Sequence, residues 1–405
     1  MTWRTMTPDR AADILTRLFP EDPESPGRIR LWDGRNLTFG RGEPPFTIHI
    51  TDQQTFEEIL SRPSLGFGEG YGRGDIAILG DFNAAMEWIY CHELDNRLSP
   101  IEKARICWLK LRKKASLRQS RRDVRFHYDK GNDFYRLWLD AGMNYSCAFF
   151  TRPDEELEQA QINKIHRSLK KLRLRPGQTL LDIGCGWGSS LIEAVQAFGA
   201  GRAIGLTLSK NQYELGNERL RQAGCADRAE IRLQDYRQMD KKEYGRFDRI
   251  LSIGMFEHVG QEQIDTFFRA TANLLKKQGI FLLHTIGRSR KQAMDPWITR
   301  YIFPGTYLPS LGELAAKAQK RGLDLVDVEN LRQHYDRTLG HWAARFEANL
   351  DQVRNYLNEQ EIRMWRFYLV GCRMGFRYNP LHVFQVLYSR GRRHDWPLVR
   401  EELYG

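Results

Sequence analysis

Short runs of apolar residues alternate with amphipathic stretches along most of the chain after residue 175. Apolar runs of this length, bounded by turn residues, predict buried strands, and they fall at residues 179–184, 202–208, 229–234, 249–254 and 280–286. The stretches between them have the period of helices, as in residues 261–277. The apolar stripe of that stretch consists of Ile264, Phe267, Phe268, Leu274 and Leu275. Strands that alternate with helices predict a parallel, doubly wound α/β sheet.

Two more strands are predicted near the end of the chain, at residues 323–331 and 381–391, with about two helices between them. An α/β core that is completed by two late strands is the plan of the class I methyltransferases. The predicted fold is therefore a doubly wound, seven-stranded and mostly parallel sheet.

The first hundred residues have a different pattern. Residues 37–52 predict a strand, a turn and a second strand, and Phe46, Ile48 and Ile50 form the apolar face of the second strand. Residues 64–90 combine glycine-rich turns with the end of a helix. We therefore predict a small α+β domain at 1–100, a basic linker at 101–125 and a catalytic domain at 126–405.

Positive charge is concentrated in the predicted linker. The whole chain carries a formal charge of +11, and the segment from Lys103 to Arg125 alone has ten Lys or Arg residues and one Asp. Such a block suits phosphate groups, either of nucleic acid or of an anionic membrane surface. A solvated linker helix is the alternative interpretation.

Other features of the whole chain exclude several classes of protein. No run of about 18 or more apolar residues is present, so no membrane-spanning helix is predicted. The first residues lack the pattern of a signal peptide, and the six cysteines lack the spacing of a metal site or a disulfide framework. We therefore expect a cytoplasmic protein without structural zinc.

Residues 180–190, LLDIGCGWGSS, join the first strand of the predicted sheet to a helix. The pattern D-x-G-x-G-x-G is formed by Asp182, Gly184, Gly186 and Gly188. A dinucleotide fingerprint would need its third glycine where Ser189 stands, and the chain has no phosphate-binding P-loop. The pattern favours S-adenosylmethionine over NAD, flavin or ATP, with Asp182 accepting from the ligand's ammonium group or ordering water beside it. A purely structural turn is the alternative.

The end of the second strand departs from the usual class I pattern. Most of these enzymes place an acidic residue there to bind the ribose hydroxyls, but this chain has Thr207. Thr207 and Gln212 are the neutral side chains that we expect to bind the ribose instead. Ser209 is also a candidate N-cap of the next helix, which would give its hydroxyl a purely structural role.

Polar side chains also follow later strands, at the edge where ligands bind in doubly wound sheets. Glu257 and His258 come after the fourth strand, His284 lies in the fifth, and Tyr335 follows the sixth. Each has an ordinary explanation, because a buried histidine is usually satisfied by a backbone carbonyl and a glutamate after a strand is often a cap. Together, a carboxylate, an imidazole and a phenol at one edge predict an acid–base site.

An aromatic segment at residues 127–150 precedes the predicted sheet and also carries Tyr145, Ser146 and Cys147. One interpretation is aromatic core. The other is a lid over an apolar substrate channel, in which ring faces would stabilise a cation.

These motifs together resemble the cyclopropane fatty acid synthases, which use S-adenosylmethionine to methylenate the double bond of unsaturated acyl chains. The resemblance covers residues 120–391 and rests on HYDKGNDFYRLWLD, MNYSCAFF, LLDIGCGWG, GLTLSKNQ, LQDYR, GMFEHVG, FLLHTIG, DPWITRYIFPGTYLPS and YDRTLGHWAARF. A looser match, PSLGFGEGYGRGDI, fits the longer bacterial members, which carry an N-terminal domain and act on membrane phospholipids. The chain departs from the family at Ser189 and Thr306, where relatives often have glycine.

The resemblance implies two sets of site residues. Contacts with S-adenosylmethionine are implied for Tyr145, Ser146, the loop from Asp182 to Gly188, Thr207, Gln212, Gln234, Asp235 and Tyr236. A bicarbonate ion near the methyl donor is implied to be held by Cys147, Glu257, His284, the backbone at Ile286, and Tyr335. Cys372 matches a cysteine proposed as the family's nucleophile, although methyl transfer to an alkene needs no covalent enzyme adduct.

The activity implied by the resemblance is transfer of a methylene group to the cis double bond of unsaturated phospholipid acyl chains, with bicarbonate as the base. The implied location is the cytoplasm, with the protein bound peripherally to phospholipid at the inner membrane face. The resemblance also implies a homodimer that forms through the N-terminal domain. A nucleic-acid methyltransferase is disfavoured, because GMFEHVG stands where amino-methylating enzymes carry [DNS]-P-P-[YFW]. A lipid methyltransferase that leaves a methyl or methylene branch and a non-enzymatic lipid-binding protein are the open alternatives.

Overall fold

The structure of the chain, a computed structural model, describes residues 6–19, 25–92 and 130–401. The basic segment 103–125 lies outside these residues. Two compact units are present, and the first lies within residues 1–129, 295–304 and 350–379. The remaining residues from 130 onward form the second unit. The predicted catalytic domain, which runs unbroken over 126–405, therefore differs from the second unit by the two later segments that group with the N-terminal residues.

The helices and strands are numbered here in chain order. The strands are β1 (Gly27–Arg30), β2 (Asn36–Phe39), β3 (Phe46–Ile50), β4 (Ile76–Gly80), β5 (Thr179–Ile183), β6 (Arg202–Thr207), β7 (Ala229–Leu233), β8 (Phe247–Ile253), β9 (Leu275–Arg288), β10 (Leu323–Asn330) and β11 (Leu381–Arg390). The helices are α1 (Pro8–Leu18), α2 (Gln53–Ser61), α3 (Pro63–Arg73), α4 (Phe82–Cys91), α5 (Gly131–Arg136), α6 (Leu157–Lys171), α7 (Ser189–Gln196), α8 (Lys210–Gln222), α9 (Lys241–Tyr244), α10 (Ile264–Leu274), α11 (Leu311–Gln319), α12 (Arg332–Ala348), α13 (Leu350–Val353) and α14 (Glu359–Tyr378). Short 3₁₀ turns cover Tyr236–Gln238, Phe256–His258 and Gln261–Gln263, and a π-helical turn covers Ile298–Ile302.

The first unit contains a four-stranded sheet in the order β2-β1-β3-β4. The predicted strand, turn and strand at 37–52 are confirmed as β2 and β3, and Phe46, Ile48 and Ile50 are buried. The two strands do not pair with each other, because β1 lies between them.

Helix α3 differs from the prediction of glycine-rich turns. Its glycines allow close packing inside the first unit. A Cβ at Gly66 would lie 2.3 Å from the backbone oxygen of Glu58, and one at Gly68 would lie 2.4 Å from the Trp297 ring. These contacts leave no room for a Cβ, and the packing they allow outweighs the low helix propensity of glycine.

The second unit contains a seven-stranded sheet in the order β10-β11-β9-β8-β5-β6-β7. Strands β5 to β9 pair in parallel, whereas β11 pairs antiparallel with both of its neighbours. The sequence prediction of a doubly wound, mostly parallel sheet is thus confirmed. One apolar cluster covers a face of the sheet with α10 and α11, and a second covers the other face with α6, α7 and α8. Both faces being buried explains why the strands are continuous apolar runs.

The predicted helix at 261–277 is confirmed, but it ends earlier than expected. Helix α10 stops at Leu274, and β9 begins at Leu275 instead of at residue 280. Leu275 pairs with Phe247 of β8, and Gln278 takes a positive φ of 60° where the register shifts. The predicted apolar stripe therefore spans two elements: its last residue, Leu275, is buried as part of the strand and not of the helix.

Within the described ranges, no helix combines the length and the apolar character needed to cross a membrane.

Candidate active site

The glycine loop between β5 and α7 has a backbone that only glycine adopts readily. Gly184, Gly186 and Gly188 have φ values of 85°, 55° and 84°. A Cβ at Gly184 would lie 2.4 Å from Met255 Cβ, whereas a Cβ at Gly186 would meet nothing within 4 Å. The first glycine is thus needed for packing, and the middle one leaves its backbone open to a ligand.

Asp182 lies at the end of β5 and is buried. Its Oδ2 accepts a hydrogen bond from the Ser190 hydroxyl at the start of α7. Its Oδ1 has no partner within the described part of the chain. Burial raises the pKa of Asp182 to about 6, although the Ser190 hydroxyl and the Lys164 cation oppose the shift. A buried acceptor with a free lone pair fits the predicted contact with a ligand's ammonium group.

The two predicted ribose partners are hydrogen-bonded to each other. The Thr207 hydroxyl donates to Gln212 Oε1 at 2.7 Å and accepts from the backbone N–H of Ser209 at 3.1 Å. Ser209 Oγ in turn accepts from the backbone N–H of Gln212, so the predicted N-cap is present. These bonds hold the Gln212 side chain beside the end of β6.

The stretch after β7 is tied to the same edge of the sheet. The backbone N–H of Gln234 donates to the Thr207 carbonyl at 3.1 Å. Asp235 forms a two-pronged ion pair with Arg237, with distances of 2.9 and 2.6 Å, and this cation lowers its pKa. The Tyr236 ring is half-buried and packs edge-on against Phe267. The charge of Asp235 is therefore already compensated by a neighbour.

The aromatic segment before the sheet is core at several of its rings. Phe134 and Trp138 are fully buried, and the Tyr145 ring packs against Trp138 and Trp342 at 5.2 and 5.3 Å between centroids. This agrees with the aromatic-core interpretation for these rings. The lid function stays a prediction.

Ser146 binds a buried cation that sequence reasoning missed. Lys164 of α6 donates to Ser146 Oγ at 2.9 Å, and burial lowers its pKa to about 8. Lys164 lies on the helix face that buries Leu157, Ala160 and Ile165, and a lysine at this spacing was the signal that could have identified it. Its charge opposes the rise in the pKa of Asp182 and adds to the lowering of the pKa of His284.

Glu257 and His284 are brought to the same stretch of β9. Ile253 of β8 pairs with His284, and Glu257 follows in the next 3₁₀ turn. Glu257 Oε1 accepts the backbone N–H of Ile286 at 2.6 Å. The backbone carbonyl of Glu257 also accepts from Thr306 Oγ1 at 3.0 Å. Glu257 is therefore fixed by one hydrogen bond to its side chain and one to its backbone.

Each of these two side chains keeps one buried polar atom unused. Glu257 is 6% exposed and His284 is 2% exposed. Glu257 Oε2 and His284 Nε2 have no hydrogen-bond partner among the described residues. Burial raises the pKa of Glu257 and lowers that of His284 well below its ordinary value, so the imidazole is neutral near pH 7. Buried polar atoms are normally hydrogen-bonded, so these two atoms are candidates for contact with a small polar ligand.

Cys147 and Tyr335 lie beside the start of α12. The Cys147 thiol contacts the Leu331 carbonyl at 3.7 Å, and the same carbonyl accepts the backbone N–H of Tyr335 at 3.1 Å. The Tyr335 ring is buried and packs edge-on against Trp342. Burial raises the pKa of Cys147, so its sulfur stays protonated.

Cys372 lies in α14, which belongs to the first compact unit. Burial raises its pKa to about 12. A thiol of this kind is protonated near pH 7 and is a weak nucleophile. The local environment thus argues against the nucleophilic role implied by the resemblance.

The two departures from the family pattern both make hydrogen bonds. Thr306 donates to Glu257 as described above, and Ser189 Oγ donates to the Gly142 carbonyl at 2.5 Å. Ser189 also accepts from Arg219 at 3.1 Å. Among the described residues, no group of three or more His, Cys, Asp or Glu side chains is placed to hold a metal ion.

The sheet order and the glycine loop define the class of protein. A seven-stranded sheet with one antiparallel strand near its edge, and an open glycine turn after its central strand, are the features of a class I S-adenosylmethionine-dependent methyltransferase. The crystal structure of mycolic acid cyclopropane synthase CmaA1 complexed with SAH and CTAB agrees, with a TM-score of 0.61 and 38% identity. The match covers 65% of this chain and 95% of that one.

Comparison of sequences narrows the class. The family model described as mycolic acid cyclopropane synthetase matches residues 115–386, and a domain of unknown function matches 14–96. The chain is 36% identical to a probable fatty acid methyltransferase of Pseudomonas putida, over 94% of this chain and 96% of the relative. It is also 36% identical to the cyclopropane-fatty-acyl-phospholipid synthase of Escherichia coli K12, over 89% and 92%. The chain belongs to the cyclopropane synthase family, as the motifs predicted.

Proposed function

We propose that this enzyme transfers a methylene group from S-adenosylmethionine to the cis double bond of unsaturated phospholipid acyl chains and closes a cyclopropane ring. The observation that carries the proposal is the pair of buried, unpartnered atoms Glu257 Oε2 and His284 Nε2. The name of the Escherichia coli relative supports the choice of a phospholipid acyl chain.

Bicarbonate fits the polar atoms of this pair. It has an O–H group that can donate to the carboxylate of Glu257, and oxygens that can accept from an imidazole N–H. Cys147 and Tyr335 are the further side chains that we propose to border it, together with the backbone at Ile286. When bound, bicarbonate would supply the base that removes a proton from the transferred methyl group.

The chain's own residues would bind and orient the methyl donor. The open backbone at Gly186 and the free oxygen of Asp182 suit its aminoacyl end, and Thr207 with Gln212 suits its ribose. An alkene is a weak nucleophile, so the sulfonium has to be held in line with the double bond in a site that excludes water. Tyr145, which the resemblance implies to contact the methyl donor, has an aromatic ring that can stabilise positive charge.

The reaction balances without a covalent enzyme adduct. The bond between sulfur and the methyl carbon breaks as that carbon bonds to one alkene carbon, which leaves a cation on the other. One methyl C–H bond then loses its proton, and its electron pair closes the ring on the cationic carbon. The chain has to keep water from this cation, and buried apolar surroundings serve that purpose.

A methyl or methylene branch is the second candidate product. The Pseudomonas putida relative, which matches nearly the full chain, is named a probable fatty acid methyltransferase. Ring and branch share the first bond-forming step. Loss of the proton on the carbon that received the methyl group leaves a methyl-branched alkene. A methylene branch forms instead when a 1,2-hydride shift first moves the cation to that carbon and a methyl proton is then lost.

Expression in a bacterial host that lacks such an enzyme tests the proposal. Mass spectrometry of extracted phospholipids should show a gain of one CH₂ on unsaturated chains only. Proton NMR should show loss of olefinic signals and appearance of ring protons. Retention of an olefinic signal with the same mass gain would establish a branched product instead, and terminal =CH₂ protons would identify the methylene branch. Unchanged lipids would contradict both candidates.

A further inference from the structure

The second ring nitrogen of His284, Nδ1, has a hydrogen-bond partner although Nε2 has none among the described residues. Gln385 of β11 is paired with His284 of β9 across the antiparallel ladder. Their side chains meet with 3.1 Å between Gln385 Nε2 and His284 Nδ1. Both residues are almost completely buried. The orientation of the Gln385 amide therefore decides whether His284 Nδ1 faces the amide N–H group or the amide oxygen.

Two neighbours from α6 fix that orientation. The Lys171 ammonium group can only donate, and its Nζ lies 2.6 Å from Gln385 Oε1. The Ser168 hydroxyl has one proton, which it donates to the Lys164 carbonyl at 2.7 Å. Ser168 Oγ must therefore accept from Gln385 Nε2, which lies 3.2 Å away. Both contacts place the amide nitrogen, not the oxygen, toward His284.

The histidine tautomer follows from this donor count. A Gln385 N–H group points at His284 Nδ1, so Nδ1 has to accept and carries no proton. In a neutral imidazole the single proton then lies on Nε2. This is the same Nε2 that has no partner in the described residues.

We propose that Gln385 is a positioning residue that holds His284 as the Nε2–H tautomer, so that His284 presents a hydrogen-bond donor to the bicarbonate of the proposed function. The inference rests on that function for its ligand, but not for the tautomer. Lys171 and Ser168 act through Gln385, because their hydrogen bonds set the orientation of its amide.

Lys171 is held in place by an ion pair. Lys171 also pairs with Glu329 of β10, which in addition accepts from Arg167 at 2.9 Å. The charges of Lys164 and Lys171 from α6 and of His334 from α12 add to the effect of burial and lower the pKa of His284 further. They favour the neutral imidazole, which is the form in which a tautomer has to be chosen.

Gln385→Glu tests the proposal with little change in shape. The new carboxylate keeps an acceptor for Lys171 but has no N–H for His284, so His284 should turn its proton toward it and lose the Nε2 donor. Long-range proton–nitrogen NMR of histidine-labelled protein reports the tautomer directly. We expect the Nε2–H pattern for His284 in the wild type and its loss in the variant, with a His284→Ala sample used only to assign the signal.

Kinetics supply the second measurement. Losing one donor to a bound anion should raise the KM for bicarbonate by roughly tenfold or more, while the KM for S-adenosylmethionine stays unchanged. Gln352→Glu, an identical exchange at an exposed position of α13, is the matched control and should behave as wild type.

The outcomes separate this inference from the proposed function. An Nδ1–H pattern in the wild type overturns the inference, and so does an unchanged bicarbonate KM in Gln385→Glu when wild-type turnover depends on bicarbonate. Wild-type turnover that is independent of bicarbonate overturns the proposed role of the anion instead. The tautomer measurement on the wild type still decides the role of Gln385 in that case, and also if the variant fails to fold.

Discussion

Glu257 and His284 are both buried, and burial shifts their pKa values in opposite directions. Each has one buried polar atom without a partner among the described residues. Under the proposed function, removing the charge of Glu257 should therefore disable the site while leaving the fold. We expect Glu257→Gln to lower kcat by about two orders of magnitude, the usual scale for acid–base machinery. Steady-state turnover at controlled bicarbonate checks this, with the exposed Glu262→Gln as control. Near-wild-type turnover of Glu257→Gln would contradict the assignment.

Asp182 links the site to the pH dependence of stability. Its pKa is raised from 3.8 to about 6 in the folded state, so the folded chain holds this proton more tightly than the unfolded chain does. The resulting stabilisation is present below pH 3.8 and is lost as the pH rises through about 6. Asp182→Asn, which keeps an acceptor for Ser190, should flatten that part of the profile.

The thermal unfolding midpoint between pH 3.5 and about 7 measures this effect. Asp324→Asn, at an exposed position of β10, should retain the wild-type slope. An Asp182→Asn profile that parallels the wild type would show that Asp182 makes no such contribution.

Sequence reasoning at this scale identified residues with recognisable chemistry in recognisable motifs. Glu257 and His284 stood out because they follow or interrupt apolar strands at the ligand-binding edge. Gln385 also interrupts an apolar strand, but a single amide there has no motif attached to it. Its role depends on Lys171 and Ser168, which lie more than two hundred residues away in sequence, and only the folded sheet brings them together.

The glycine loop gives an element-scale prediction with two different outcomes. Gly184→Ala would place a Cβ 2.4 Å from Met255 in a strained backbone, whereas Gly186→Ala meets open space. We expect Gly184→Ala to lower the thermal midpoint, since overpacking costs roughly 1–3 kcal/mol. Gly186→Ala should instead weaken S-adenosylmethionine binding with a smaller loss of stability.

Calorimetric titration of S-adenosylmethionine, together with thermal melts, separates the two effects. The loop's role as a ligand cradle would be wrong if Gly186→Ala bound the cofactor as the wild type does. Equal destabilisation by both substitutions would contradict the packing difference between the two positions.

The strands of the large sheet were predictable because they are buried on both faces and appear as uninterrupted apolar runs. The boundary between α10 and β9 was not predictable, because an apolar residue at position 275 fits the pattern of the helix and that of the strand equally well. Helix α3 was missed for a similar reason. Its glycines predict turns, and only the contacts with Glu58 and Trp297 explain a helix there.

At the scale of the whole molecule, the basic segment 103–125 and the acyl substrate suggest a membrane surface as partner. We expect binding to anionic phospholipid vesicles that weakens as salt rises, because exposed charges are screened within about 10 Å at 0.1 M salt. Neutralising Lys110, Arg112, Lys113 and Lys114 together should weaken it further.

A cosedimentation assay checks both effects. The control is a variant in which four exposed lysines elsewhere are neutralised: Lys241, Lys277, Lys291 and Lys320. Salt-insensitive binding would contradict an electrostatic contact.

The division into units was only partly predictable. The change of pattern after residue 100 marks the N-terminal part, but residues 295–304 and 350–379 group with it through long-range packing. Trp297 illustrates why: its ring packs edge-on against Phe367 and fills the space beside Gly68. Such a cluster of three distant segments has no periodic signature in any one of them.

The measurement that tests the central claim most directly is the dependence of turnover on bicarbonate. Purified wild-type protein would be incubated with S-adenosylmethionine and unsaturated phospholipid vesicles in buffer freed of carbon dioxide, and bicarbonate would then be titrated in. The account predicts little ring formation at first and a rate that rises to a plateau as the ion is added. Ring formation at the full rate without bicarbonate would contradict it.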